Sequence, residues 1–244
     1  MRLDRFLSRA TGWSRRQADA AIRAGEVRVN GEACRNPASR LADNAQVEHA
    51  GRLIAQPRAR YYMLNKPRDY VCANRDSQHR TVFQLLATST TRGLNVAGRL
   101  DRDATGLVLL TDDGQWLHRV TSPRVGHLKI YRVTLADSLS AAAVEALAAG
   151  IRLRGEAKPC LPVELSGIGP LDWRIALREG RYHQIKRMFA AVGNQVNALH
   201  REAIGGVVLD PALPSGASRA LHKAEIACFA DARETTTQGK FIPS

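Results

Sequence analysis

Leu3, Phe6, Leu7 and Ala10 recur at helical spacing, and Ser14-Arg15-Arg16-Gln17 has the capping-box pattern that opens a second helix, which Gly25 ends. The period then changes. Val27 and Val29 alternate with polar residues, Asn30-Gly31 is a strong hairpin-turn signal, and Cys34 falls on the returning strand. Residues 1–43 therefore read as a small module of two helices and a hairpin. Residues 44–60 are polar and irregular, with Gly51 and Pro57, and read as a linker. A fresh apolar pattern starts at Tyr61-Tyr62-Met63-Leu64, and strand-like runs follow over 107–110, 129–135, 160–165 and 171–177. Helices are fewer: 140–149, stopped by Gly150, and 182–192, stopped by Gly193. In the second of these, Ile185, Met188, Phe189 and Val192 make one apolar stripe, while His183, Lys186, Arg187 and Ala190 share another side. Residues 61–230 are thus predicted to be an α+β module, with a mixed, mainly antiparallel sheet and flanking helices. Residues 231–244, with Thr235-Thr236-Thr237 and Gly239, read as a disordered tail, and no internal repeat is found.

Composition adds a partner class. With 244 residues and 44% hydrophobic content the chain can bury a substantial core, and its formal charge of +13 points to a polyanion. Of the 36 basic residues 30 are arginine, whose planar fork suits phosphate and base edges; a GC-rich genome would give the same bias. The first module carries nine arginines. Arg15, Arg16 and Arg23 lie on or near its second helix, which is either an RNA-docking surface or a solvated face. Cys34, Cys72, Cys160 and Cys228 form no Cys-x-x-Cys pair, and the seven histidines form no close ligand pair, so no metal is implied. The start, Met1-Arg2-Leu3-Asp4-Arg5, lacks the apolar core of a signal peptide and no membrane span is visible, so a cytoplasmic location is expected.

The richest stretch is Gly98-Arg99-Leu100-Asp101-Arg102-Asp103-Ala104-Thr105-Gly106-Leu107, which sets a carboxylate between two arginines in a glycine-bounded turn. Taken alone, Asp101 could as well cap a turn or helix. These ten residues, however, resemble the Gly-Arg-Leu-Asp signature of RNA pseudouridine synthases. Asn65-Lys66-Pro67, Lys129-Ile130-Tyr131-Arg132-Val133 and Glu179-Gly180-Arg181-Tyr182-His183-Gln184-Ile185-Lys186-Arg187-Met188 resemble that family's other motifs, in its order and at comparable separations. The resemblance implies that Asp101 is the catalytic carboxylate, that Tyr131 lies against the uracil, and that Lys186 sits beside Asp101. A cation within about 4 to 6 Å favours a charged carboxylate. Arg99, Arg102, Arg181 and Arg187 are assigned to phosphate contacts and uridine positioning, with surface charge as the alternative, and Lys66, Arg15 and Arg16 to RNA contacts. His183 reads as a polar helix cap with no catalytic role.

The implied chemistry breaks the glycosidic C–N bond, rotates the uracil in the pocket and joins C5 to the ribose C1′, so no cofactor is expected. Asp101 would either attack C1′ or remove the ribose 2′ proton. The first module, through Arg2-Leu3-Asp4-Arg5-Phe6-Leu7, Ser14-Arg15-Arg16-Gln17-Ala18 and Gly25-Glu26-Val27-Arg28-Val29-Asn30-Gly31, resembles the αL RNA-binding domain first seen in a small-subunit ribosomal protein. Tyr70-Val71-Cys72, Thr111-Asp112-Asp113-Gly114-Gln115-Trp116 and Arg187-Met188-Phe189-Ala190-Ala191-Val192-Gly193-Asn194 are similar to the bacterial branch that modifies one uridine of 16S rRNA. The similarity covers residues 1–229. Ala104 departs from it, standing where the family usually has serine or threonine, and Arg68 and residues 77–81 vary within such families and bear on substrate choice. The expected partner is ribosomal RNA, 16S first, or a small-subunit assembly intermediate, with no membrane, no obligate protein partner and a monomeric chain. Three other readings fit parts of the sequence: a 23S rRNA synthase, a noncatalytic RNA-binding assembly factor, and a hydrolase that would need a second acid, for which Asp103 is the near candidate.

Overall fold

The computed structural model describes residues 1–42 and 44–230, and the chain divides into two compact units, Met1–Ala59 and a larger one from Arg60 onward. The expected disordered tail, 231–244, lies outside the described residues. In the first unit α1 (Leu3–Thr11) and α2 (Arg15–Ala24) bury Leu3, Phe6, Leu7, Ala18 and Ile22 against one another. Ser14 caps α2 as its pattern predicts: its Oγ accepts from the Gln17 N–H at 3.2 Å, and Gln17 Oε1 accepts from the Ser14 N–H at 2.8 Å. β1 (Val27–Val29) and β2 (Glu32–Ala33) are joined by Asn30 and Gly31 at φ 52° and 85°, the two left-handed positions a tight primed turn demands.

Residues 44–60 correct the linker expectation. They contain β3 (Val47–His49) and β4 (Arg52–Ile54), which complete an antiparallel sheet in the order β2-β1-β3-β4. Val47 is fully buried beside Val27, and Ala50-Gly51 makes another left-handed turn. Two strands of three residues that between them bury one side chain are too short to show alternation, so the segment reads as polar chain.

The second unit runs β5 (Tyr61–Lys66), β6 (Tyr70–Val71), β7 (Arg80–Thr81), α3 (Thr88–Thr91), β8 (Asn95–Ala97), β9 (Thr105–Thr111), α4 (Gly114–Thr121), β10 (Lys129–Leu135), α5 (Ala141–Ala149), β11 (Glu164–Gly167), β12 (Asp172–Leu177), α6 (Gln184–Ala191), β13 (Val196–Ile204), β14 (Val207–Val208), β15 (Ser218–Ala220) and α7 (Lys223–Ala227). Its main sheet has the order β11-β12-β10-β13-β9-β5-β15, with β8 and β14 off that path. Every pairing in it is antiparallel except β13 with β9. The sheet is therefore mixed and mainly antiparallel, in an α+β fold. The continuous apolar run in β9 follows from burial on both faces: Val108 and Leu110 enter one core with Leu64, Tyr131 and Phe189, while Leu107 and Leu109 enter another with Met63, Trp116 and Phe229.

The expected strand at 160–165 begins later, at Glu164. Cys160 and Val163 instead bond backwards, to the carbonyls of Ile151 and Ala148 around the end of α5. Central strand β13 and helix α4 escaped the sequence reading. Val196-Asn197-Ala198-Leu199-His200-Arg201-Glu202-Ala203-Ile204 has no period-two pattern, because a mid-sheet arginine and a half-buried histidine occupy it.

Candidate active site

The loop 98–104 leads into β9, and two buried cations hold it from beneath. β9 pairs in parallel with β13, with Arg201 opposite Gly106. Gly106, at φ 102°, has no room for a Cβ, which would overlap the Arg201 carbonyl oxygen and come within 2.7 Å of its nitrogen. From this register the Arg201 side chain, 2% exposed, donates to the carbonyls of Leu107 at 2.8 Å, Arg99 at 3.1 Å and Gly98 at 3.4 Å. Lys66 closes the other end. It lies at the end of β5, fully buried, and its Nζ donates to Ala104 O at 2.6 Å, Pro67 O at 3.0 Å and Arg102 O at 3.1 Å. The Ala104 N–H donates to Asp101 O at 3.2 Å, so main-chain bonding closes the turn without the hydroxyl that Ala104 lacks.

On this clamped loop the Asp101 carboxylate, 29% exposed, faces α6. Its Oδ2 lies 3.4 Å from Lys186 Nζ and its Oδ1 3.5 Å from His183 Nε2. Lys186 also donates to both oxygens of Asp103, at 2.6 and 2.8 Å, so the two acids converge on one ammonium. Burial works against the charged lysine, but the hydrogen bond to Asp103 and the charges of both acids outweigh it and raise the Lys186 pKa. Burial likewise pushes Asp103 up, and the hydrogen bond and charge of Lys186 bring it below the ordinary carboxylate value. Asp101, Lys186, His183, Arg99 and Tyr131 line one cleft of about 100 Å³, closed on its apolar side by Leu177 and Leu199. Tyr131 is 8% exposed, with the Arg201 guanidinium 6.0 Å from its ring centre.

Of the residues singled out in the sequence, Asp101, Tyr131, Lys186 and Arg99 thus meet in one place. Lys66 needs correction as an RNA contact, and Arg181 and Arg187 have structural partners of their own. Lys66 is sealed under the loop with its ammonium taken up by carbonyls, and burial pulls its pKa below the usual lysine value. Arg181 lines the cleft, and its guanidinium donates to the carbonyls of Lys158 and Pro159, at 2.8 and 2.6 Å, and to Glu179 at 3.2 Å. Arg187 donates to the carbonyls of Tyr182 and Arg154 and to Glu156. These two arginines pin the 154–159 loop and the start of α6. Arg102 is half exposed, 4.0 Å from Asp69. Arg15 and Arg16 stand exposed in the first turn of α2, in the other unit.

Two residues of the site were missed. Arg201 sits in the unread strand β13. His183 makes no side-chain cap to α6; it takes a left-handed backbone (φ 48°) and turns its ring to Asp101. A non-glycine residue held in that region costs on the order of 1–3 kcal/mol and marks a position its surroundings over-determine.

Comparison with known proteins gives the arrangement a family. The RNA pseudouridylate synthase family matches residues 60–163, and the S4 domain family matches residues 1–47. A ribosomal small subunit pseudouridine synthase A of Escherichia coli (strain K12) is 48% identical over 93% of this chain and 99% of its own length. The protein of that name from Vibrio parahaemolyticus serotype O3:K6 is 46% identical over 93% of this chain and 98% of its own. A crystal structure of a pseudouridylate synthase superposes with a TM-score of 0.69 at 43% identity, covering 94% of this chain and all of that one. The chain belongs to the RNA pseudouridine synthase family, in the S4-domain branch that contains these ribosomal small subunit pseudouridine synthases.

Proposed function

We propose that this enzyme isomerises one uridine of small-subunit (16S) ribosomal RNA to pseudouridine, with Asp101 as the reacting carboxylate and the target uridine extruded into the cleft. The observation that carries the reading is the fixed position of Asp101: an acid on a doubly clamped loop, facing a small cleft with a buried tyrosine on its wall. The cleft of about 100 Å³ beside Asp101 is where this reading seats the base. Extruding that base from its stack costs a few kcal/mol, less in a loop, a bulge or an unfinished assembly intermediate.

In the cleft, Asp101 reacts at the ribose, by attack on C1′ or removal of the 2′ proton, as the C–N bond breaks. The Tyr131 ring offers a surface on which the detached uracil turns to present C5 to C1′, after which C5 loses its proton. Lys186 offsets part of the negative charge of Asp101 and Asp103, which would otherwise oppose a polyanion. Atoms and electrons balance within the nucleoside, so the reaction calls for no cofactor. The relatives' names support the small subunit as the target, and the exposed arginines of the first unit supply a phosphate-binding surface. In bacteria ribosomal RNA is made and assembled in the cytoplasm, which is where this reading puts the enzyme.

The test compares wild type with Asp101→Asn on 16S rRNA and on a partly assembled small subunit, mapping pseudouridine by chemical adduct and primer extension while measuring RNA binding. Wild type should make one pseudouridine, and the variant should bind and make none. Product in 23S rRNA alone would move the target to the large subunit, and product from the variant would remove Asp101 from the chemistry.

A further inference from the structure

Beside Asp101 an aromatic pair stands without a task in the chemistry. Tyr182 is the most exposed aromatic side chain among the described residues, at 75%, although its ring lies on that of His183 with centroids 3.8 Å apart and planes 19° apart. A ring covered on one face that still keeps such exposure has its other face open. The main chain that carries the pair is held by neighbouring residues. The Arg187 guanidinium holds the Tyr182 carbonyl at 3.1 Å, the Arg187 N–H donates to His183 O at 3.0 Å, and Gln184 Oε1 accepts from the Arg181 N–H at 2.9 Å. His183 carries the left-handed backbone, and its own ring lines the cleft and faces Asp101 while that of Tyr182 faces outward. The stack therefore begins within reach of Asp101 and ends in an open aromatic face at the rim.

A uridine extruded into the cleft leaves its neighbour in the strand without a stacking partner. Unstacked bases are recognised by aromatic side chains, since every base has a π-face, and the chain's charge of +13 draws the backbone toward the site. We propose that the Tyr182–His183 pair is a stacking platform for the base next to the target uridine, so that Tyr182 is a substrate-positioning residue that selects the local RNA context. This rests on the function proposed above. Larger purines overlap a tyrosine ring more fully, so a purine neighbour is favoured over a pyrimidine.

The experiment uses the full chain and a 16S rRNA fragment spanning the mapped target, with 2-aminopurine or an abasic ribose placed at each position flanking the uridine. Stacking quenches 2-aminopurine. Wild type and Tyr182→Phe should quench it at one flanking position, and Tyr182→Ala should leave it bright. Loss of one stacked base weakens binding roughly 5- to 150-fold, and that penalty should vanish on the RNA abasic at that position. Tyr182→Trp, which widens the platform, should bind at least as tightly as wild type. Equal fluorescence and affinity for wild type and Tyr182→Ala, or an equal penalty on intact and abasic RNA, would overturn the platform while leaving the function intact. Absence of pseudouridine with wild type would overturn both, and is read before any Tyr182 variant is used.

Discussion

Replacing Lys66 by Met tests whether this lysine serves the loop or the RNA. The substitution preserves the buried stem and removes an ammonium that donates to Ala104 O, Pro67 O and Arg102 O. Hydrogen bonds to a charged group contribute about 1.5–3 kcal/mol each, so three amount to roughly 4–9 kcal/mol. Against this stands the desolvation of a buried ammonium, several kcal/mol, which the variant no longer incurs. The net loss should be about 2–4 kcal/mol, or a fall in Tm of about 4–16 °C at about 2–4 °C per kcal/mol for a domain of 150–250 residues. Catalysis should suffer more, because a displacement of about 1 Å at a reacting group costs on the order of 100-fold in rate. RNA affinity should change little, since the ammonium is fully buried. The decisive assay is the salt dependence of RNA binding. A lost phosphate contact lowers the slope of log K against log salt by about 0.7–0.9, whereas a clamp leaves it unchanged. A shallower slope together with an unchanged Tm would refute the reasoning.

Two further predictions follow from other cations and from an acid. Arg15→Ala and Arg16→Ala should each lower the same salt slope by about 0.7–0.9, while helix stability holds or rises by about 0.3–1 kcal/mol, because both cations sit at the positive end of α2; unaltered slopes would return them to solvent. Asp113→Ala should cost about 1–3 kcal/mol, since this carboxylate caps α4 through the Gln115 and Trp116 N–H groups and accepts from the Tyr61 hydroxyl at 2.8 Å. Burial raises the Asp113 pKa, but the Tyr61 hydroxyl and the two N–H groups bring it below 3.8. That stability is therefore present above pH 3.8 and lost as pH falls through the folded value. Tyr61 is shifted the other way, to about 12 from 10.0, by burial and then by its bond to Asp113, so its share is intact below pH 10.0 and lost as pH rises toward 12. The Tm gap between wild type and variant should be widest between those limits, close at the acid end and narrow at the alkaline end, where the bonds to the Gln115 and Trp116 N–H groups persist; a gap independent of pH would contradict the assignment.

What the sequence makes legible here is whatever is written in neighbouring residues. The capped helix at Ser14, the turn at Asn30-Gly31, the both-faces-buried run in β9 and the stripe of α6 all depend on positions a few residues apart. The site divides along the same line. Asp101, Tyr131 and Lys186 are visible because each sits in a local motif. The fates of the cations are not, because Lys66, Arg181, Arg187 and Arg201 have main-chain carbonyls among their partners, and a peptide oxygen is present at every position. A salt bridge needs an acid at a particular place in the sequence; a carbonyl clamp needs only a register. That register, β9 against β13, joins Arg201 to Leu107 across 94 positions, through a strand with no alternation to announce it. His183 illustrates a third case. Its position at the head of α6 matches a cap, yet only the left-handed backbone, absent from any pattern of residue types, turns the ring to Asp101 and Tyr182 outward. A basic residue counted toward RNA binding from composition alone is therefore as open to use by the fold as by the substrate, and in this site the two largest buried cations, Lys66 and Arg201, serve the fold by holding the loop on which the proposed chemistry depends.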